Sequence, residues 1–325
     1  MELAWIILLF LVGIVFIVKG GDYFVDAASW IAEVSGIPKL IIGATIVSLA
    51  TTLPEMLVSV MAAAKGSVDM AIGNAVGSVT ANIGLIMAIS LICMPAVIKR
   101  KDYLLKSILM LAAAALIVVS GVAGETGIVI CVVLICIFAV FLWENVSSAK
   151  RAMKEGQGEE KRSGKLEKKE ILINIAKFAV GAVGIVWGAD LLVNNGSELA
   201  RFIGISERVI GVTIVAVGTS LPELVTAVTS LMKGHGSLSL GNVVGANLFN
   251  LVLVSGVSVT LSPFQAPQNA SIGGMNASLV LDLPVMFLVM LLLTVPALLR
   301  GKLSRVQGIL LLAIYAGFCA VQFSL

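Results

Sequence analysis

An acidic motif occurs twice in this chain, each time inside an apolar run. Thr51 to Glu55 reads TTLPE, and Thr219 to Glu223, 168 residues later, reads TSLPE. A carboxylate at the centre of a bilayer costs about 2.5 to 3.5 kcal/mol on insertion scales. A helix-breaking proline precedes each glutamate. If these runs lie in a membrane, the fold has to provide a polar interior for both segments.

The composition places these runs in a membrane. The 325 residues are 59% hydrophobic and 13% charged, and the mean hydropathy is +1.07, which together indicate a polytopic membrane protein. Eight of the 22 lysines and arginines lie between Lys150 and Lys169, so the net charge of +3 reflects a loop and does not indicate a nucleic-acid partner. The four cysteines lie in apolar runs without metal-ligand spacing, and we interpret them as core or lipid-facing thiols.

A window of about 20 apolar residues predicts ten membrane-spanning helices and an all-α polytopic fold. The first apolar run, from Leu3, follows no basic segment and is predicted to be a retained helix rather than a signal peptide. The candidate spans are 3–19 (with a more polar continuation to about 34), 39–63, 70–94, 104–120, 126–143, 171–199, 209–232, 238–261, 279–299 and 305–323.

The basic residues predict the orientation. With the N-terminus outside, 19 of the 22 lysines and arginines lie on the cytoplasmic side. An even number of spans returns the C-terminus to the outside, and the hydrophilic segment 144–170 becomes a cytoplasmic linker. We therefore expect a multi-pass plasma-membrane protein with a first half, 1–143 (five spans), the linker 144–170, and a second half, 171–325 (five spans).

The two halves are related by an internal repeat. A shift of 168 residues aligns 43–60 with 211–228 at nine identities in 18 positions, and also aligns Asn82 with Asn250. Because each half has an odd number of predicted spans, the second copy enters the membrane from the opposite side. Inverted repeats with interrupted helices at matching positions are typical of secondary transporters, whose substrate site lies near the midplane.

The repeated segments are rich in oxygen. Pro54 and Pro222 predict a kink or unwinding near Ala50 and Gly218, which frees backbone carbonyls. Hydroxyl and amide groups recur around each glutamate and on the helix that follows it. These groups are Ser48, Thr51, Thr52 and Ser59 near Glu55; Thr219, Ser220 and Thr226 near Glu223; and the stripes Asn74, Ser78, Asn82 and Asn242, Ala246, Asn250 with Asn247 slightly off the face.

An all-oxygen ligand set suits hard cations such as Ca²⁺ and Na⁺, and two glutamates balance one divalent charge. Competition of two ions for one such site is the physical basis of exchange. For the asparagines, interhelical hydrogen bonding is an equally good interpretation. The paired glycines Gly73 and Gly77, and Gly241 and Gly245, are predicted to allow close helix packing.

The paired motifs, each followed by a Gly-Asn-x-Val-Gly helix (Gly73 to Gly77 and Gly241 to Gly245), resemble the two alpha repeats of the calcium/cation antiporter superfamily, and most of all prokaryotic sodium/calcium exchanger homologues. The resemblance implies a sodium/calcium exchanger-like fold, Ca²⁺ and Na⁺ as transported substrates, no cofactor, and alternating access by movement of the first and sixth helices. The implied central ligands are Glu55, Asn82, Glu223 and Asn250. The implied flanking ligands are Thr51, Thr52, Ser78, Thr219, Ser220 and the carbonyls of Ser48 and Ala216.

Two departures from the family pattern leave the counter-ion open. Related exchangers often carry an aspartate at the position of Asn250 and a serine at that of Ala246. Coupling to H⁺ or another cation is therefore the alternative to coupling to Na⁺. An intramembrane enzyme would need a nucleophile with its base or a metal cluster, which the membrane segments lack, and a structural scaffold has no use for duplicated glutamates. A monomer is compatible with this reading.

Overall fold

The fold was taken from a computed structural model, which describes residues 3–64, 68–97, 100–123, 128–154, 167–204, 218, 220–256 and 271–324. These residues are mainly helical and include two short antiparallel strand pairs. The α-helices are α1 (Leu3–Ser35), α2 (Lys39–Ile42), α3 (Ser48–Ala64), α4 (Val68–Ala81), α5 (Ala88–Cys93), α6 (Arg100–Ala123), α7 (Ile128–Lys154), α8 (Lys168–Phe202), α9 (Leu221–Met232), α10 (Gly236–Leu248), α11 (Leu283–Arg300) and α12 (Arg305–Ser324).

In the described ranges, four short π-helices continue or precede these α-helices. They are π1 (Gly43–Val47), π2 (Asn82–Met87), π3 (Phe249–Val254) and π4 (Ser278–Asp282). The strands are β1 (Ala96–Val97), which pairs with β4 (Lys302–Leu303), and β2 (Ser271–Ile272), which pairs with β3 (Met275–Asn276). The sequence did not predict the π-helices, which carry one extra residue per turn and are frequent at functional sites.

The membrane-spanning character of the chain is confirmed, but the ten predicted spans are not all found. Within the described ranges, seven helices are long and apolar enough to cross a membrane, and eight if the bent pair Lys39–Leu53 and Glu55–Met61 counts as one span. The predicted spans 209–232 and 238–261 are described only in part. Both neighbouring helices extend into the segment 144–170, since α7 continues to Lys154 and α8 begins at Lys168, and the cytoplasmic linker stays a prediction.

The chain forms two compact units. The first contains Met1–Thr51 and Ala149–Asn242, and the second contains Thr52–Ser148 and Val243–Leu325. These units differ from the sequential halves 1–143 and 171–325, because compactness and internal repetition are different properties. The division into repeat halves stays a prediction.

In the first unit, α1 and α8 pack with their backbones in close contact. A Cβ added to Gly20 would lie 2.8 Å from the Ile185 nitrogen, and one added to Gly181 would lie 2.6 Å from the Phe24 nitrogen. Only glycine permits this approach. Phe24 and Ile185 belong to the buried core of the unit, which also includes Ile42 of α2. The more polar continuation of α1 to residue 34 is confirmed, since the helix ends at Ser35.

The two repeated prolines have different local structures. Pro54 lies inside α3, and the helix bends by 54° between the segments ending at Leu53 and beginning at Glu55. The predicted kink near Ala50 is therefore found four residues later, as a bend in a continuous helix. Pro222 lies in the first turn of α9, where a missing N–H breaks no intrahelical hydrogen bond. The predicted unwinding near Gly218 falls mostly outside the described residues.

In the second unit, α12 packs against α5 and π2. A Cβ on Gly308 would lie 2.7 Å from the Ala88 carbonyl oxygen, and one on Gly84 would lie 2.7 Å from the Tyr315 Cβ. The Phe138 ring of α7 makes an edge contact with Phe249 of π3 at a centroid distance of 5.2 Å. These contacts hold π2, which contains Asn82, and π3, which contains Asn250.

Candidate ion-binding site

The carboxylate of Glu55 is the centre of a polar cluster in the second unit. Glu55 is 5% exposed. Its Oε1 accepts a hydrogen bond from the Ser78 hydroxyl at 3.1 Å, and its Oε2 accepts one from Asn250 Nδ2 at 3.2 Å. Three predicted ligands, from α3, α4 and π3, are therefore in direct contact. The sequence places them up to 195 residues apart.

The two repeated asparagines keep unused polar atoms in this unit. Asn82 and Asn250 are both fully buried. Among the described residues, neither polar atom of the Asn82 amide has a hydrogen-bond partner, and the same is true of Asn250 Oδ1. Buried amide atoms without partners are costly, so their retention calls for an explanation. A cation bound by the Asn82 and Asn250 amide oxygens would explain why these two oxygens have no hydrogen-bond partner.

The first unit presents a second oxygen set at the beginning of α9. Glu223 is fully buried and lies in the first helical turn, where free backbone N–H groups and the helix dipole favour a negative charge. Ser220 precedes the helix and is 4% exposed. Its Oγ has no hydrogen-bond partner within the described part of the chain. Thr226 donates to the Pro222 carbonyl at 2.8 Å.

Ser48 and Thr51 follow π1 in the same unit. The Ser48 hydroxyl donates to the Thr45 carbonyl at 3.2 Å. The Thr51 hydroxyl lies 3.3 Å from the carbonyls of Val47 and Ser48 and 3.4 Å from Asn242 Oδ1. A hydroxyl that donates to the backbone keeps its lone pairs for a cation. Thr52, in the second unit, is 1% exposed. The predicted ligands Thr219 and Ala216 lie outside the described residues.

Members of the predicted asparagine stripes have different partners. Asn74 donates to the Ser59 hydroxyl at 2.9 Å. This is an interhelical hydrogen bond, which the sequence left open as the alternative to ion binding. The repeat counterpart of Asn74, Asn242, instead accepts a hydrogen bond from Thr51 and is fully buried. Ala246 is also fully buried and contributes no oxygen from its side chain.

The prediction that the paired glycines allow close packing is confirmed at Gly241. A Cβ at Gly241 would lie 2.1 Å from the Leu40 carbonyl oxygen, so α10 and α2 are in backbone contact. A Cβ at Gly77 would meet no described atom within 4 Å. Of these two glycines, Gly241 is the one at which the described residues show close helix packing.

Asn247 is a buried polar residue that was not among the predicted ligands. The side chain is fully buried, and neither of its polar atoms has a partner in the described ranges. Helical spacing placed it off the asparagine stripe. Its repeat counterpart is Val79, so a signal existed in the sequence as a polar residue found in one copy only.

The donors collected in each unit are carboxylate, amide and hydroxyl oxygens. Among the described residues, no group of three or more His, Cys, Asp or Glu side chains is placed to hold a metal ion. The clusters therefore differ from closed sites for soft or borderline metals, and their ligand chemistry is that of hard cations. All four cysteines are free, and Cys93 and Cys136 are exposed on their helices.

Comparison with known proteins identifies the family of the chain. The family profile described as "Sodium/calcium exchanger protein" matches residues 5–146 and 173–324. The sodium/calcium exchanger MaX1 of Methanosarcina acetivorans is 31% identical over 97% of this chain and 98% of its own length. The inner membrane protein YrbG of Escherichia coli is 33% identical over 78% of this chain and 79% of its own length.

The fold is also found among solved structures. A structure of the sodium-calcium exchanger NCX_Mj, soaked with zero Na⁺ and Ca²⁺, is similar with a TM-score of 0.81 at 28% identity. The match covers 98% of this chain and 99% of that chain. The family profile spans both apolar halves, and the relatives align over most of their length. The chain is therefore a multi-pass membrane protein that belongs to the sodium/calcium exchanger family.

Proposed function

We propose that this protein is a secondary active antiporter that exchanges Ca²⁺ for Na⁺. The observation that carries the proposal is the buried Glu55 carboxylate, which contacts Ser78 at 3.1 Å and Asn250 at 3.2 Å. In the same unit, the buried amide oxygens of Asn82 and Asn250 have no partner among the described residues. A hard divalent cation requires a set of this kind. Membership of the exchanger family supports the same activity.

The proposed central ligands are Glu55, Asn82, Glu223 and Asn250. The proposed flanking ligands are Thr51, Thr52, Ser78, Thr219, Ser220 and the carbonyls of Ser48 and Ala216. The assignment of Glu223 to the same ion as Glu55 rests on the sequence repeat and on the family. The burial of Glu223 and its place in the first turn of α9 are compatible with this role.

The transport cycle proposed for this chain is alternating access at a site near the membrane midplane. Ten helices in two inverted repeats of five would supply it, with the N- and C-termini outside and the central loop in the cytoplasm. The π-helices support the repeat, because π2 begins at Asn82 and π3 contains its counterpart Asn250. The bilayer and the two ions are the partners this proposal requires.

Coupling to H⁺ is the second candidate, and Asn250 is the residue that makes it worth testing. An amide at this position leaves Glu55 and Glu223 as the carboxylates of the proposed site. Those two glutamates balance one Ca²⁺, and the return step then needs either Na⁺ or protons on the same oxygens. The lone amide oxygen of Asn250, which has no partner in the described ranges, suits Na⁺.

Calcium uptake into proteoliposomes under imposed ion gradients tests the proposal. Purified full-length protein is reconstituted, and ⁴⁵Ca²⁺ uptake is measured with an outward Na⁺, K⁺ or H⁺ gradient in parallel, with protein-free vesicles as the control. We expect uptake that follows the Na⁺ gradient. Uptake driven by the pH gradient alone would replace Na⁺ by H⁺ as the counter-ion, and no uptake under any gradient would refute calcium exchange.

A further inference from the structure

An apolar cavity of about 730 Å³ lies in the first unit. Its wall is formed by the N-terminal part of α1, the C-terminal part of α8 and the start of α9. Leu3 and Phe10 contribute from α1, Leu192 and Ala200 from α8, and Leu221 from α9. The described lining consists of aliphatic residues, phenylalanine and glycine, so the cavity offers dispersion contacts and no polar anchor.

We infer that this cavity binds one acyl chain of a membrane phospholipid. A hydrocarbon chain in a space of this size would make dispersion contacts with the apolar side chains of its lining. The volume falls within the range of about 300 to 1,000 Å³ that is typical of small-molecule sites. The described lining, which has no polar side chains, suits a hydrocarbon chain better than a headgroup or an ion.

The surroundings of the cavity identify the bilayer as the source of the ligand. Its rim residues Leu3, Phe202 and Ile203 are 37%, 69% and 74% exposed. The α1 surface next to it continues with Trp5 and Leu8, which are 51% and 48% exposed. In a membrane-spanning helix such surfaces face lipid. The cavity is therefore continuous with the lipid-facing surface, on the side of the membrane where α1 begins.

The cavity also reaches the repeated acidic motif. Gly218 and Leu221 both line it, and they flank Ser220 and precede Glu223. A Cβ at Gly218 would lie 2.0 Å from Val193 Cγ2, so the backbone at Gly218 rests directly on α8. An acyl chain in the cavity would fill the space beside this contact and support the start of α9. This step concerns lipid binding and holds whether or not the transported ions are those proposed above.

Retention of phospholipid on the purified protein tests the inference. The full-length protein is extracted from vesicles of phosphatidylglycerol and phosphatidylethanolamine, exchanged into detergent and weighed by native mass spectrometry. A phospholipid with a photoreactive acyl chain then locates the site by peptide mapping. Two variants, Leu192→Trp and Ala200→Phe, fill the cavity. Val183→Phe adds bulk to the lipid-exposed surface of the same helix and is the matched control, because Val183 is 49% exposed and does not line the cavity.

We expect one phospholipid to remain on the unmodified protein and on Val183→Phe, with crosslinks near Leu192 and Phe202. At least one filling variant that elutes as a folded, monodisperse species should lose this lipid about tenfold. Loss of all lipid from the unmodified protein during detergent exchange would overturn the inference. Equal retention in both filling variants, or crosslinks spread evenly along α8, would overturn it as well.

Discussion

Asn250 donates a hydrogen bond from Nδ2 to Oε2 of Glu55 over 3.2 Å, although 195 residues separate them in the chain. Both side chains are buried. Asn250 lies within π3, and Glu55 directly follows the bend of α3. The bond fixes the orientation of the amide, because Nδ2 points to the carboxylate and Oδ1 points elsewhere. A neutral donor at this position therefore holds Glu55 without adding a second charge.

Replacement of Asn250 by aspartate should make calcium transport sensitive to pH. Two carboxylates at hydrogen-bonding distance repel each other and compete for one proton, whereas an amide and a carboxylate do not. We expect uptake by Asn250→Asp to fall roughly tenfold between pH 8 and pH 6, a larger change than in the unmodified protein. Asn74→Asp is the control, because Asn74 bonds to Ser59 rather than to Glu55. An identical pH profile for Asn250→Asp and the unmodified protein would place Asn250 outside the site.

Loss of the Ser78 hydroxyl should weaken calcium binding without unfolding the protein. Ser78→Ala removes the hydrogen bond to Glu55 Oε1, and a bond to a charged group contributes about 1.5 to 3 kcal/mol. We expect the calcium concentration for half-maximal uptake to rise at least about tenfold. Thr80→Val is the matched control on the same helix, since the buried Thr80 hydroxyl donates to the Val76 carbonyl. Equal effects of the two variants would mean that Ser78 acts through helix packing alone.

Gly241 and Gly77, one from each Gly-Asn-x-Val-Gly segment, allow a direct test of helix packing. Gly241→Ala places a Cβ 2.1 Å from the Leu40 carbonyl oxygen, which forces α10 away from α2. Overpacking of this kind costs about 1 to 3 kcal/mol or more. Gly77→Ala meets no described atom within 4 Å and should be neutral or mildly stabilising, because alanine favours the helix. Thermal unfolding in detergent distinguishes them, and a Tm for Gly241→Ala at or above that of Gly77→Ala would contradict the structure.

Lys233 connects the end of α9 to α1, and its removal should have a small effect on stability. Its Nζ lies 2.8 Å from Asp26 Oδ1 and 3.2 Å from Asp22 Oδ1. We expect Lys233→Met to lose about 0 to 1 kcal/mol, because the carboxylates are partly exposed. Lys19→Met, on the exposed side of α1, is the control for loss of charge.

The contribution of Lys233 has a defined pH dependence. Burial lowers the pKa of Lys233, but the hydrogen bonds and charges of Asp26 and Asp22 outweigh it, so the pKa is raised overall. A raised lysine pKa stabilises the fold fully below the unfolded value of about 10.4 and loses that effect as the pH rises through the folded value. The Tm difference between Lys233→Met and the unmodified protein should therefore shrink above that pH. A difference that grows with alkaline pH would contradict the ion pair.

The sequence predicted the membrane class and the family because apolar runs and a duplicated motif can be recognised without knowledge of the fold. It also predicted that Glu55, Ser78 and Asn250 lie close together, since the repeat and the family motif name the same residues. The structure shows these three in contact. Spacing alone could not show that Asn74 and Asn82 have different partners, because both lie on one helical face. The packing of α3 places Ser59 against Asn74.

The π-helices and the helix ends were not predictable for physical reasons. A π-turn arises when one residue is inserted into the hydrogen-bond ladder, and no composition marks it. The bend of α3 lies at Pro54 rather than near Ala50, because the helix tilts at the proline while remaining continuous on either side. The polar continuation of α1 was ambiguous in sequence, and the structure explains it through Asp22 and Asp26, which pair with Lys233.

The most direct test of the proposed exchange is ⁴⁵Ca²⁺ uptake by the purified Glu55→Gln and Glu223→Gln variants under an outward Na⁺ gradient. Glutamine keeps the shape of each side chain and removes its charge, so folding, followed by monodisperse elution and Tm, should be retained. We expect uptake in each variant to fall to the level of protein-free vesicles. Uptake equal to that of the unmodified protein in either folded variant would contradict the assignment of that glutamate to the calcium site.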